Sequence, residues 1–392
     1  MREAKGSADR ETHRLDEFST RRVLVLVAKD IDNPSRAGGD RHVCLLAEFL
    51  ARRGAAVTIL CSSRKGLPKI SRRNGTRIQR IAPLRALSLS IWARLAGGAG
   101  LRADLVVEDM IGAARAPFLA PLFPSRAVLG FWFQDNTGFF RTHYPVPVAA
   151  LAGTVQRLVL ATHVGTFIVC PSRASRDWLV SRGFPAERVG VFYPSADPDN
   201  LSQSSLEFSE RANRFVSIGN IRRVKRFQEA IATLRLVRAR IPDAELAIVG
   251  RREDDGYLAE LRRFAIQEGV GDAVVFELDI SDEQKYRLLA NSKVLSIHSA
   301  VEGFALTVTE AGLCGVPAVV NSSVPPEAFL PGESGIRTQT DTAEAFAEEI
   351  SRLFLDEGRW RELSRRTQEL SRTFKEARPD EVLSSILDRL GM

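Results

Sequence analysis

Two successive series of short β-branched runs, each alternating with helical patterns, constrain this 392-residue chain more than any other feature. In the first series, residues 23–27, 57–60, 105–107, 127–131, 167–170 and 189–192 read as strands. Between the first two, Val43, Leu46, Ala47 and Leu50 fall at helical spacing, and Gly54 is placed to end that helix. Parallel neighbours need such a crossover, so the alternation predicts a parallel sheet with helices on both faces. Residues 193–214 lose the period and fill with Pro, Ser, Asp and Asn, as a linker does. A second series follows, with strands at 215–218, 245–249, 274–276, 294–297 and 318–320 and helices over 227–238 and 257–267. The expectation is an α/β chain of two doubly wound, Rossmann-like domains, residues 21–195 and 196–375. Residues 1–20 mix both charge signs without an apolar stretch and read as a disordered, solvated tail. The carboxyl ends of both sheets would face one cleft, where ligands of such folds bind.

Composition narrows the setting. With 44% hydrophobic and 26% charged residues the chain is of ordinary globular type, and no apolar run approaches the ~18 residues of a membrane span. Cys44, Cys61, Cys170 and Cys314 are far apart and lie in apolar segments, which predicts buried thiols rather than a zinc site or a disulfide framework. The net charge is +7, yet residues 1–200 hold 29 basic against 17 acidic side chains, so the second half is net acidic. Basic residues are densest from Arg64 to Arg94, where Leu87, Leu89, Ile91 and Trp92 intervene. Such a stretch could dock on an anionic membrane surface or an anionic acceptor, and it could equally be a solvated basic face. The expected setting is cytoplasmic, or peripheral at the inner surface of a membrane, without a nucleic-acid partner.

Three motifs carry chemistry. In Glu302-Gly303-Phe304-Ala305-Leu306-Thr307-Val308-Thr309-Glu310, a strand ends near Ser299, Gly303 allows close backbone approach, and a helix starts near Phe304 or Ala305. The free N–H groups at its start form an anion site. In Ser217-Ile218-Gly219-Asn220-Ile221-Arg222-Arg223-Val224-Lys225, cations sit just past a strand, where a departing diphosphate needs them. Gly38 and Gly39 lie between the first strand and its helix, where backbone can approach a ligand. No Gly-x-Gly-x-x-Gly follows a strand, which argues against a nicotinamide oxidoreductase, and no Walker loop occurs. His143 and His163 are candidates by chemistry alone.

On these motifs the chain resembles the family-4 retaining glycosyltransferases of the GT-B fold, whose signature is a Glu-x7-Glu pattern that opens Glu-Gly-Phe-Gly and closes Glu-Ala-x2-Cys/Ala-Gly-x-Pro. The likeness extends to Cys170-Pro171-Ser172 and to Val191-Phe192-Tyr193-Pro194 at the linker, and it implies a closing helix at 376–392 that returns to the first domain. The resemblance implies transfer of a glycosyl unit from a nucleoside diphosphate sugar, with retained anomeric configuration and without a metal or other cofactor. Glu302 would bind donor-sugar hydroxyls, and the amides near Gly303, Phe304 and Ala305 would face sugar and phosphate. Glu310 would accept from the ribose. Lys225 matches the lysine of the family's Gly-Arg-x4-Lys pattern beginning at Gly219. Its arginine position is Asn220, so Arg222 or Arg223 would take over that charge; Lys225, Arg223 and Glu302 form the implied catalytic set. Phe133 stands where many relatives have a histidine facing the sugar, leaving Gln134, Asp135 or Asn136 to supply the polar contact. The acceptor, unidentified, would lie mainly on the first domain, near Gly38 and Gly39, and the basic charge there suggests an anionic or membrane-associated molecule. Phe133 and Asn220 also motivate a rival reading, a non-catalytic nucleotide-sugar-binding subunit that supports a partner enzyme.

Overall fold

The computed structural model describes residues 21–36, 38–99, 102–110, 118–122, 127–194, 206–376 and 389. The tail at 1–20, most of the expected linker and most of the closing helix therefore lie outside the described residues. Two sheets organise the rest. The first holds β1 (Arg22–Leu26), β2 (Ala56–Ser62), β3 (Ile70–Arg73), β4 (Thr76–Ala82), β5 (Leu105–Asp109), β6 (Val128–Phe131), β7 (Phe167–Cys170) and β8 (Val189–Val191). Their order is β3-β4-β2-β1-β5-β6-β7-β8, parallel throughout except for the β3–β4 pair. The second sheet holds β9 (Ala212–Ile218), β10 (Glu245–Gly250), β11 (Val274–Leu278), β12 (Ser292–Ile297), β13 (Ala318–Val320) and β14 (Gly335–Arg337). Its order, β11-β10-β9-β12-β13-β14, is parallel throughout and reverses direction at β9.

Helices cover both faces of each sheet, because parallel strands buried on both sides need apolar cover on both. On the first sheet, α1 (Gly38–Arg52) packs Val43, Leu46, Ala47 and Leu50 against one face, as their spacing predicts. The other face carries α2 (Leu87–Ala96) and, beyond α3 (Thr137–His143), which packs on the next helix and meets the Arg223–Lys225 turn, α4 (Val146–His163) and α5 (Arg173–Val180). On the second sheet, α6 (Phe227–Arg238), α7 (Asp255–Gln267) and α10 (Ala343–Leu355) build one core, while α8 (Asp282–Ala290) and α9 (Leu306–Leu313) build the other. The long α11 (Glu357–Glu376) closes over α9 and ends at the junction between the sheets, where Tyr193 packs edge-on against Phe374 at 5.4 Å and beside Phe304 at 5.7 Å. Beyond it, Arg389 donates to the carbonyl oxygen of Glu187 in the first domain, 3.1 Å away.

The basic stretch from Arg64 to Arg94 contains a β-hairpin that the charge pattern hides. Asn74 (φ 45°) and Gly75 (φ 80°) make its turn, the left-handed pair that joins tightly linked strands. Arg80 on β4 points inward and is 3% exposed; it donates from Nε and Nη2 to both oxygens of Asp30 at 2.9 and 2.7 Å and from Nη2 to Asp32 at 2.8 Å. Burial alone would raise the Asp30 pKa, but these hydrogen bonds outweigh it and hold the carboxyl below its ordinary range. The network braces the loop that leads from β1 to Gly38. The four cysteines are buried and unpaired, as their apolar settings imply.

Close packing of α9 on α11 depends on a glycine. A Cβ at Gly312 would stand 2.0 Å from Ser371 Oγ and 3.0 Å from the Thr367 backbone oxygen. The hydroxyl can rotate away but the backbone cannot. Gly312→Ala is expected to lower stability by about 1–3 kcal/mol in thermal or urea unfolding, and adding Ser371→Ala should restore only part of it. Full restoration by the second change would place the whole clash on the hydroxyl.

Candidate functional site

The edge formed by the carboxyl ends of β9, β10 and β12 is built on backbone contacts that only glycine permits. A Cβ at Gly250 would lie 1.9 Å from the Gly219 carbonyl oxygen, so the ends of β9 and β10 touch backbone to backbone. The Lys225 chain lies across Gly219, with its Cε 2.9 Å from where a Cβ would be. Lys225 ends the 3-10 turn Arg223–Lys225, which the Ala300 N–H ties to the exit of β12 by donating to the Val224 carbonyl. This threading carries Lys225 Nζ to 2.6 Å from Glu302 Oε1, in a pair whose side chains are 24% and 12% exposed.

Glu310 has its own lysine. It is buried in the second turn of α9, and Lys285 of α8 donates to its Oε1 at 2.9 Å while also lying 3.0 Å from Asp282. Burial would lower the Lys285 pKa, but the charges of Glu310 and Asp282 outweigh that and raise it. Both glutamates of the Glu-x7-Glu motif are thus ion-paired with lysines from different elements. The helix between them starts at Leu306, with Ala305 at φ 66°, ψ 60°. Left-handed backbone costs a residue with a Cβ about 1–2 kcal/mol, so the change from the resembled signature's glycine bears on conformation as well as on room.

The arginines of the second motif are engaged elsewhere. Arg222 pairs with Glu253, as Asn220 does through its amide, and Arg222 also lies over the Phe139 ring of α3, 5.9 Å from its centre. Arg223 makes hydrogen bonds of 2.6 and 2.7 Å to both oxygens of Glu260 on α7. A different guanidinium sits beside the loop: Arg251 follows β10, its carbonyl accepts from the Ile221 N–H at 3.0 Å, and its buried Nη1 has no hydrogen-bond partner among the described residues. Its charge acts on Arg36 of the first domain, whose pKa is lowered first by burial and then by Arg251. The acidic Asp254, adjacent to Asp255, caps α7 by accepting from Tyr257 N at 2.9 Å.

On the first domain, Gly38 opens α1 with nothing within 4 Å of an added Cβ, whereas at Gly39 a Cβ would meet the Phe133 ring at 3.1 Å. Gln134 donates to Asn136 at 3.1 Å. Asp135 is committed to α3 and α4: its Oδ1 accepts from Thr137 N, Thr137 Oγ1 and Gln156 Nε2 at 2.9, 2.6 and 2.7 Å. Burial would raise its pKa, but these bonds outweigh it and lower it. His163 is fully buried, donating from Nδ1 to the Val159 carbonyl and facing Glu108 at 3.3 Å, which is a structural position. The His143 side chain lies outside the described residues. The domains meet where the Phe133 carbonyl oxygen stands 2.5 Å from the Cβ position of Gly303 and where Gly138 faces Val301 at 3.3 Å. Sequence reasoning missed Lys285 and Arg251. Neither lies in a motif with a local signal, and each matters only through a partner far along the chain.

Two family models cover the chain in tandem. One described as Glycosyltransferase Family 4 matches residues 36–200, and one described as Glycosyl transferases group 1 matches residues 199–373. Among curated proteins, the chain is 26% identical over 399 aligned positions to D-inositol 3-phosphate glycosyltransferase of Mycobacteroides abscessus, covering 88% of this chain and 86% of that one. It is 28% identical to GDP-mannose-dependent alpha-(1-6)-phosphatidylinositol monomannoside mannosyltransferase of Mycolicibacterium smegmatis, over 54% of this chain and only 57% of that protein. Among solved structures, sucrose-phosphate synthase from Thermosynechococcus elongatus superposes with a TM-score of 0.75 at 19% identity, covering 94% and 99% of the two chains. Anabaena HepE in complex with UDP and glucose gives 0.71 at 17% identity, covering 93% and 100%.

Beside Phe133, His42 is 4% exposed and stacks on Phe192 at 4.4 Å, donating from Nε2 to the Phe192 carbonyl at 3.1 Å. Burial holds it neutral, with its pKa pushed down to about 4 from an ordinary 6.5. Its folded-state pKa lies below its unfolded one, so its contribution to stability is complete above pH 6.5 and is lost as pH falls toward 4. The protein should lose stability across that window. In His42→Gln the loss should shrink by on the order of 3 kcal/mol in urea unfolding at a series of pH values. An equal loss in both proteins would contradict a neutral, buried His42.

Proposed function

From the premise that this chain belongs to the family-4 glycosyltransferases and has their GT-B fold, we propose that it is a metal-independent, retaining enzyme using a nucleoside diphosphate sugar. The observation that carries this reading is the pair of lysine-held glutamates, Lys225–Glu302 and Lys285–Glu310, spaced along one segment at the carboxyl edge of the second sheet. A nucleoside diphosphate sugar offers each of them a new partner. Lys225 turns from Glu302 to the departing phosphate, and Glu302, released, accepts hydroxyls of the transferred sugar. Glu310 accepts from the ribose while Lys285 holds the carboxylate in place. The N–H groups at the starts of α9 and α1, next to Ala305 and at Gly38 and Gly39, face the phosphates.

Charge that develops on the leaving diphosphate needs a second cation. Arg222 and Arg223 would first have to leave Glu253 and Glu260, whereas Arg251 has a buried N–H group with no partner among the described residues. Arg251 therefore fits that role better. Phe133 gives the sugar an apolar wall in place of an imidazole, and Gln134 and Asn136 offer the polar contact. The leaving phosphate then takes the acceptor proton on the same face of the sugar, which preserves the anomeric configuration.

The relatives point to a donor and acceptor class. Three name GDP-mannose as donor, and two of the acceptors named are inositol phosphates or phosphatidylinositol derivatives. An acceptor bearing phosphate suits the positive first domain, and the cytoplasmic face of a membrane suits an enzyme for such acceptors.

Lys225→Ala should fold normally and lower kcat by about 100-fold or more, the scale seen when a group stabilising transition-state charge is removed. Near wild-type turnover would refute the leaving-group assignment. A panel of nucleoside diphosphates and their sugars should include one, with GDP-mannose first, that raises the melting temperature of the wild type. The same ligand should leave Glu310→Ala nearly unshifted. A shift of equal size in the variant would remove Glu310 from the donor site.

A further inference from the structure

The outer face of the first domain departs from the rule that solvent-facing helix surfaces are charged. Helix α4 is 18 residues long and Arg157 is its one Lys, Arg, Asp or Glu. Its solvent-facing arc holds Val146, Leu151 and Leu158, which are 83%, 65% and 61% exposed. By contrast α11, also on the surface, is studded with Arg and Glu, as an exposed helix normally is. Next to α4, on the same face of the sheet, lie the turn holding Leu122 (61% exposed) and α2, whose Leu89 is 64% exposed. Trp92 of α2 donates to the Phe118 carbonyl at 2.8 Å and fixes these elements side by side. Of the thirteen large apolar side chains that are exposed among the described residues, eight fall between Leu84 and Val164.

The charge around this face is predominantly of one sign, the nearest exposed acid being Asp177 of α5, which faces Arg176 at 3.4 Å. From residue 63 to residue 172 the sequence has fourteen Lys and Arg but only Asp104, Glu108, Asp109 and Asp135 as acids. The first three are buried, and Asp135 accepts three hydrogen bonds within its own loop and helices. Exposed charge along this stretch is therefore cationic, and Arg85, Arg94, Arg102, Arg141 and Arg157 are all exposed. Apolar side chains standing among an excess of cations, with no exposed carboxylate among the described residues from 63 to 172, match a bilayer that presents anionic headgroups above its acyl chains.

We infer that the α2–α4 face of the first domain docks on an anionic lipid bilayer, inserting Leu89, Leu122, Val146, Leu151 and Leu158 while the surrounding arginines meet headgroup phosphates. This interaction is separate from sugar transfer and does not depend on which donor or acceptor the enzyme uses.

Co-sedimentation of the full chain with vesicles tests it. Vesicles of phosphatidylglycerol mixed with phosphatidylcholine should bring the protein down, and pure phosphatidylcholine should not; added salt should weaken the binding. Leu151→Asp/Leu158→Asp should bind the anionic vesicles at least about tenfold more weakly, and Arg94→Glu/Arg157→Glu should also weaken it. Both double variants should keep the wild-type melting temperature, which separates loss of docking from loss of fold. Failure of the wild type to sediment, equal binding to neutral vesicles, or unchanged binding by the leucine variant would overturn the inference. So would a dimer in solution that becomes monomeric in the leucine variant, since a second copy would then be what covers this face.

Discussion

At Gly303 the two domains meet with backbone against backbone, and the site depends on that contact. The Phe133 carbonyl oxygen lies 2.5 Å from the point a Cβ would occupy, and the same oxygen accepts from Ser175 Oγ at 3.2 Å. Only hydrogen fits between. The loop leaving β6 and the loop entering α9 are thereby locked together, which sets Glu302 on one side of the contact and the Phe133 ring on the other. Behind this contact the close approach of Gly219 to Gly250 lets Lys225 run flat along the end of the second sheet. The glycines thus act as a system, because each removes a side chain from a place where backbone, lysine or the opposite domain must lie.

Much of the architecture was legible because parallel strands are buried on both faces and leave unbroken apolar runs of limited length. That pattern located the central strands of both sheets to within a few residues. It failed at the β3–β4 hairpin, where an edge pair needs no apolar run and where one of the inward positions of β4 is filled by an arginine. Asn74-Gly75 was the local signal for that hairpin, and the density of basic residues around it drew the reading toward surface charge. At the site, Lys225, Glu302 and Glu310 were legible as residue types next to strand ends. Their pairing was not, since the second lysine comes from α8, 25 positions before its glutamate. Ala305 read as a slightly larger glycine; what matters equally is its left-handed backbone, a quantity a single sequence does not display.

The asymmetry of charge has the same physical origin on two scales. Throughout the second domain, cations at the surface are matched by carboxylates, as in Arg223–Glu260, Arg235–Glu268 and the ladder along α11. In the first domain the carboxylates have turned inward, Asp30 to Arg80 and Glu108 to the N–H groups of Leu119 and Ala120. Inward-facing acids serve the fold by satisfying buried donors, and fewer acids than arginines remain at the surface of this half, where pairs such as Arg73–Asp32 and Arg176–Asp177 persist. An internal structural choice thus becomes a long-range field around one half of the molecule.

On the proposed reading, the Lys225–Glu302 pair would also make recognition of the donor's two ends a single exchange. In the unliganded pair the two charges cancel, so Lys225 by itself presents little attraction to a stray phosphate. An anion that took Lys225 alone would strand Glu302 in a largely buried position without a partner, a costly arrangement. A molecule carrying both a diphosphate and a sugar leaves neither group unpaired. Discrimination against free nucleotide diphosphate, including the enzyme's own product, would then follow from cooperativity within one ion pair, with no moving lid required to reject it.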